Sequence, residues 1–142
     1  MTVCPFCDIA NKSASAVIVW EDSDIVAFLD TRPIRKGHCL IIPKRHIESF
    51  EEVPADLAAR MMALGQRLAK RMKTIYKVDR VAFLFAGSDV PHTHAHVFPM
   101  HEKMDITSAH YILNPENLQF GSSHLRADKE SLVEVQSELR LD

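Results

Sequence analysis

The feature that most limits what this chain can fold into is one long apolar stripe. Between Pro54 and Tyr76, the residues Leu57, Met61, Leu64, Leu68, Met72 and Ile75 recur at steps of three or four, the period of a single helix face. Pro54 suits the first helical turn, where its missing N–H costs nothing. On either side the pattern changes to short, β-branched runs. Ala16 to Trp20 reads as a strand, Asp22-Ser23-Asp24 as a turn, and Ile25 to Leu29 as the returning strand of a hairpin. His38 to Ile42 is a third strand, stopped by Pro43. Val78 to Phe85 is a fourth, apolar nearly throughout and so expected at the centre of the sheet. Val90 to Met100 is the fifth, and Thr2 to Lys12 reads as an irregular knuckle. Asp128 is placed to cap a last helix from Lys129 to Leu139, with Leu132, Val135 and Leu139 as its apolar side. The expectation is an α+β domain: an antiparallel five-stranded sheet with one long helix and a C-terminal helix.

A length of 142 residues without repeat or linker fits one domain over 1–142. Apolar residues at 46% and charged residues at 25% are ordinary for a globular protein. A net charge of −2 gives no global field toward nucleic acid or an anionic membrane, so neither is an expected partner. Arg60, Arg67, Lys70, Arg71 and Lys73 invite a nucleic-acid reading, but a solvated helix face accounts for them better. The first ten residues have no cationic start and no apolar core, so no secretory signal is expected. Apolar runs are strand-sized, far below the roughly 20 residues that span a bilayer. A cytoplasmic location follows, where three cysteines are metal ligands or buried thiols before they are disulfides.

Chemistry concentrates at His92-Thr93-His94-Ala95-His96. On a strand, positions i, i+2 and i+4 share a face at spacings of about 6.5–7 Å, so three imidazoles there converge on an anion of phosphate size. A neutral imidazole is a nucleophile at pH 7, and a neighbour can act as acid or charge stabiliser. Three unpaired polar rings buried in a row would cost several kcal/mol, which argues against a purely structural role. A metal site is the serious competitor, since HxH spacing suits it too. Gly87-Ser88-Asp89, just ahead of the row, can aim backbone N–H groups at an oxyanion. Cys4-Pro5-Phe6-Cys7 is open to redox, metal or incidental readings. No strand precedes it, as a thioredoxin-like motif would require, so zinc is preferred, with two further ligands to find. Cys39, mid-strand, reads as a small buried apolar residue.

The run from Ala86 to Pro99 resembles the histidine-triad (HIT) motif His-φ-His-φ-His-φ-φ. Ile25 to Asp30 is similar to the family's second strand with its ribose-binding acid, and Gly37 to His46 to its "GHxLIxPxxH" segment. The likeness covers about residues 4–101 and leaves the tail 102–142 unassigned. It implies a HIT-like fold and a hydrolase or nucleotidyl transferase acting at the α-phosphate of an AMP-containing ester, phosphoramidate or dinucleoside polyphosphate. By resemblance His94 is the nucleophile that forms a nucleotidyl-histidine. His96 contacts the phosphate and protonates the leaving group, and His38 supports them. Asp30 takes the ribose hydroxyls, Phe6, Ile9 and Phe28 line the base pocket, and Ser88 and Asp89 flank the phosphate. Family members with an N-terminal CxxC, a zinc-binding bacterial-type branch, imply the structural zinc set Cys4, Cys7, His46 and His92. That set would make the role of His92 positional. A homodimer is also implied.

The chain departs from the family in its shortened loop Phe85-Ala86-Gly87-Ser88, where Ser88 replaces a frequent Gln, and in the small residues Thr93 and Ala95. Substrate preference therefore does not carry over. Two other readings stand beside catalysis. One is a non-catalytic protein chelating a divalent metal through His92, His94, His96 and His101. The other is a nucleotide sensor without turnover. His101, His110 and His124 are expected at the surface.

Overall fold

The structure, a computed structural model, describes residues 3–85, 89–106, 112–114, 116, 119–120 and 122–142. In chain order the elements are α1 (Pro5–Ala10), β1 (Ile18–Glu21), β2 (Ile25–Leu29), β3 (Cys39–Pro43), α2 (Ala55–Tyr76), β4 (Arg80–Phe85), β5 (Ala95–Met100), β6 (Ile112–Asn114), β7 (Gln119–Phe120) and α3 (Lys129–Leu139). The first five strands form one antiparallel sheet in the order β1-β2-β3-β5-β4, and β6 and β7 pair separately. The fold class is α+β, as the sequence predicts.

Both faces of the central strands are covered, which is why Ile25–Leu29 and Cys39–Pro43 are apolar without alternation. Ala27, Leu29, Cys39, Ile41, Ala95 and Val97 meet Met61, Leu64, Leu68 and Met72 of α2. Val26, Phe28, Leu40 and Ile42 point the other way, against Cys4 and Phe6. On the first face α2 lies close to β4. A Cβ on Gly65 would stand 2.4 Å from the Phe83 ring, so only glycine lets the two approach. Helix α3 begins at Asp128, whose side chain accepts from the Ser131 N–H, and it buries Leu132, Val135 and Leu139.

Three expectations need correction. β4 is an edge strand, not a central one: among the described residues its only sheet partner is β5, and Val81, Phe83, Leu84 and Phe85 stay half-buried. The N-terminal knuckle is helical over Pro5–Ala10, because Cys4 caps it by accepting from the Cys7 N–H. The histidine strand starts at Ala95, so only His96 of the three lies in it. Before Ala95 the backbone bonds elsewhere: His92 N–H donates to Val90 O at 2.8 Å and Thr93 N–H to Ile47 O at 2.6 Å.

The loop from Asp30 to Gly37 is fixed from outside the sheet. Asp105, fully buried, accepts a fork from Arg35 at 2.9 and 2.8 Å and the N–H groups of His101 and Glu102 at 2.8 and 3.0 Å. Replacing Asp105 with alanine is expected to destabilise the fold by about 3 kcal/mol, since it strands several donors at once. A urea melt that moves by less than about 1 kcal/mol would contradict this role.

Candidate active site

His92, His94 and His96 are gathered by the bend before β5, and Gly37 brings His38 beside them. Gly37 sits at φ +94 with Tyr76 packed against it, a conformation that favours glycine. His92, His94 and His38 are 0%, 7% and 1% exposed, so the proton positions on their rings are set by protein partners.

Those partners fix each ring. His94 Nδ1 lies 2.7 Å from the His92 carbonyl. A carbonyl only accepts, so Nδ1 carries the proton and Nε2 the lone pair. His92 Nε2 lies 2.8 Å from the Pro43 carbonyl, which places its lone pair on Nδ1. The Ile34 N–H donates to His38 Nδ1 at 3.1 Å, so the His38 proton is on Nε2, 2.9 Å from His96 Nδ1. His96 therefore accepts at Nδ1 and carries its proton on Nε2. Neighbouring rings thus present opposite functions: a lone pair on His94 and a donor on His96, their centroids 5.0 Å apart.

Burial pushes His38 down from the usual 6.5 to about 4; Asp30 opposes this and His96 adds to it. The unfolded chain takes up the proton first as pH falls. The stability from His38 is therefore complete above pH 6.5 and is lost by about pH 4. The expected loss is up to about 3 kcal/mol. Urea melts from pH 7 to 4 check it: a His38→Gln protein should show a shallower slope than the parent, and identical slopes would contradict the assignment.

Cys4, Cys7, His46 and His92 bring four ligand atoms within 4.8 Å of one another. His92 Nδ1 is 3.4 Å from Cys4 Sγ, 3.5 Å from Cys7 Sγ and 3.3 Å from His46 Nδ1, and Cys7 Sγ is 3.3 Å from His46 Nδ1. A tetrahedron with zinc-length bonds to nitrogen and sulfur has edges of roughly 3.3–3.8 Å. The His92 lone pair points into this set because Pro43 holds the other nitrogen's proton, the usual outer-shell arrangement of a ligating histidine. The residues fit a closed structural zinc site. A second set, Asp30, His38 and His96, is equally close-knit. It fits a metal poorly, since the Ile34 N–H leaves His38 Nε2 protonated toward its partners. Within it His38 Nε2–H donates to His96 Nδ1 at 2.9 Å, and Asp30 Oδ2 stands 3.7 Å from the same nitrogen, an electrostatic neighbour and not a hydrogen-bond partner.

The remaining expected residues separate clearly. Phe6 and Phe28 pack edge to face at 5.6 Å, with Ile9 half-buried beside them. Asp89 is exposed, and Ser88 lies outside the described residues. His101 and His124 are exposed as expected, His110 lies outside the described residues, and Cys39 is buried. The helix cations are largely engaged within the chain. Arg60 pairs with Asp22 and Asp24, Arg71 donates to Glu138 O, and Arg67 donates to Asp142 O and lies over Trp20. One contact escaped the sequence reading: the Phe6 ring stands edge to face against His94 at 5.0 Å. Its only sequence signal was its place between two cysteines that close on His92.

The family model of the HIT domain matches residues 11–103. The chain belongs to the HIT family. Among its HIT relatives, a HIT-like protein of Methanocaldococcus jannaschii is 35% identical over 104 residues, covering 70% of this chain and 81% of that one. The protein hit of Bacillus subtilis is 32% identical over 132 residues, 86% of this chain and 91% of that one. Adenosine 5'-monophosphoramidase of Saccharomyces cerevisiae is 34% identical over 101 residues, 70% of this chain and 64% of the yeast protein. Of solved HIT structures, a zinc-bound histidine triad family protein from Mycobacterium smegmatis superposes with a TM-score of 0.72. It is 30% identical and covers 96% of this chain and 90% of its own. Among the described residues no helix is long and apolar enough to cross a membrane.

Proposed function

We propose that this HIT protein is a nucleotide hydrolase or nucleotidyl transferase in which His94 Nε2 attacks the α-phosphorus of an AMP-containing substrate. The bond that breaks joins that phosphorus to an amine, an ester oxygen or a further phosphate. One observation carries the reading: the 2.7 Å contact from His94 Nδ1 to the His92 carbonyl, which leaves the Nε2 lone pair available for in-line attack. The family assignment and the yeast phosphoramidase relative support nucleotide hydrolase chemistry in general.

As the phosphorus–nitrogen or phosphorus–oxygen bond breaks, the departing atom keeps the electron pair, accepts a hydrogen bond from His96 Nε2–H and takes its proton from solvent. The imidazole of His94 becomes cationic when phosphorylated, and the His92 carbonyl stabilises its Nδ1 proton. Water or another acceptor then takes the nucleotidyl group and restores the ring. His38 acts through His96 by holding its Nδ1 as an acceptor. Asp30, beside His38, takes the ribose hydroxyls, and Phe6, Ile9 and Phe28 form the apolar side toward the base. Zinc at Cys4, Cys7, His46 and His92 is structural: it would crosslink α1 to the segment before β5. The half-buried residues of β4, with the exposed Phe50 stacked on Phe85, suit contact with a second copy of the chain.

Rapid mixing with an adenosine phosphoramidate tests the scheme. The expected course is a burst of free amine, one per chain, ahead of AMP release. Amine and AMP appearing together from the first turnover, at every acceptor concentration, would argue for direct attack by water.

A further inference from the structure

The four-donor site and the nucleophile share a residue and a turn of chain. His92 turns Nδ1 toward Cys4 and Cys7, and its carbonyl holds the His94 Nδ1 proton. Phe6 lies between the two cysteines in sequence and meets both His92 and His94 edge to face, at 5.9 and 5.0 Å. Whatever fixes Cys4 and Cys7 therefore fixes the ring that attacks, once through a carbonyl and once through an aromatic contact. Of the three thiols, Cys39 is fully buried, whereas Cys7 is partly open to solvent and Cys4 lies beside it. Their sulfurs are within 4.8 Å of each other, at the N-terminus of α1.

We propose that Cys4 and Cys7 form an oxidant-sensitive thiol pair whose conversion to a disulfide frees the zinc and unseats His94, a coupling that rests on His94 being the nucleophile described above. The oxidant is a peroxide. The Cys7 thiolate attacks one peroxide oxygen, the O–O bond breaks, and hydroxide leaves a sulfenic acid behind. The Cys4 thiolate then attacks that sulfur and expels a second hydroxide. Two thiolates lose two electrons, the peroxide gains them, and two solvent protons complete two waters. Disulfide sulfurs are no longer anionic donors, so only His46 and His92 remain to the metal, too few for a closed site. The Cys4–Cys7 turn then re-forms around its own bond, and Phe6 and the His92 backbone lose their common anchor. A dithiol and zinc reverse the change.

The test uses the full chain loaded with zinc and treated with hydrogen peroxide beside a zinc-indicating dye. One Cys4–Cys7 disulfide per chain is expected by peptide mass, with one zinc released. Nucleotidyl transfer to His94 should slow by about 10–100-fold and recover with dithiol and zinc. A Cys7→His protein, which keeps four donors but gives Cys4 no partner for a disulfide, should show the same zinc content and rate after peroxide as it shows itself before treatment, whatever its starting rate. Nitrogen NMR of the His94 ring, recorded without substrate, should move from a single Nδ1–H tautomer to a mixture on oxidation. A disulfide that leaves this tautomer unchanged overturns the coupling. Thiols and zinc that survive excess peroxide overturn the oxidant sensitivity. Absence of His94 transfer even before oxidation would instead contradict the catalytic proposal, and the NMR and zinc-release results would still decide the coupling.

Discussion

A His94→Ala protein is expected to lose turnover of an AMP phosphoramidate by roughly four orders of magnitude or more, with AMP affinity changed by less than about tenfold. The asymmetry follows from what the ring does. In the proposed scheme its Nε2 lone pair serves bond formation at phosphorus, whereas Asp30 and the Phe6–Phe28 side would hold ribose and base. Among the described residues nothing nearby substitutes for it: His96 presents a proton, His38 sits behind His96, and the His92 lone pair faces the cysteines. Removing the ring also leaves the Phe6 edge uncovered. A His94→Gln protein should therefore show the same kinetic loss with less structural disturbance. Steady-state rates with calorimetric AMP titration check both. A large rise in the AMP Kd with turnover preserved would assign His94 to binding instead.

Loss of zinc is the second large effect. Cys4→Ala removes a proposed zinc ligand and the α1 cap together, and the purified protein is expected to carry no stoichiometric zinc. A folded-state ligand held at about 1,000 times its Kd stabilises by about 4 kcal/mol. For a chain of this size the same loss lowers Tm by roughly 10–15 °C. A chelator acting on the parent protein should reproduce most of that shift, and Cys39→Ala should leave zinc content unchanged. Metal analysis and differential scanning calorimetry provide the comparison. Full zinc in Cys4→Ala would dissolve the four-residue assignment.

Much of this was legible in the sequence because the signals were periodic or spaced. The α2 stripe, the Asp128 cap and the β2 and β3 runs all produced the expected elements, since each is decided by local pattern and burial. The convergence of Cys4, Cys7, His46 and His92, and of His38 with His96, followed from family resemblance rather than from spacing. The misreadings were cases where distant partners decide. Val78–Phe85 looks central because apolar composition reports burial, not the number of neighbours, and an edge strand facing another apolar surface reads the same way. The segment from His92 to His94 looks like strand because its residues alternate. Yet Ile47 and Val90 take its N–H groups and bend it away from β3. That bend puts the His92 carbonyl under His94, a contact that an extended strand with parallel side chains would not make. Arg35–Asp105, separated by 70 residues, had no sequence signal at all.

The most direct test is to quench the zinc-loaded protein with acid-free denaturant during turnover of an adenosine phosphoramidate and map the adduct by mass spectrometry. One adenylyl group on a histidine is expected, located at His94 and absent from His92, His96 and His38. An adduct on any other residue, or turnover with no adduct under conditions that preserve phosphohistidine, would contradict it.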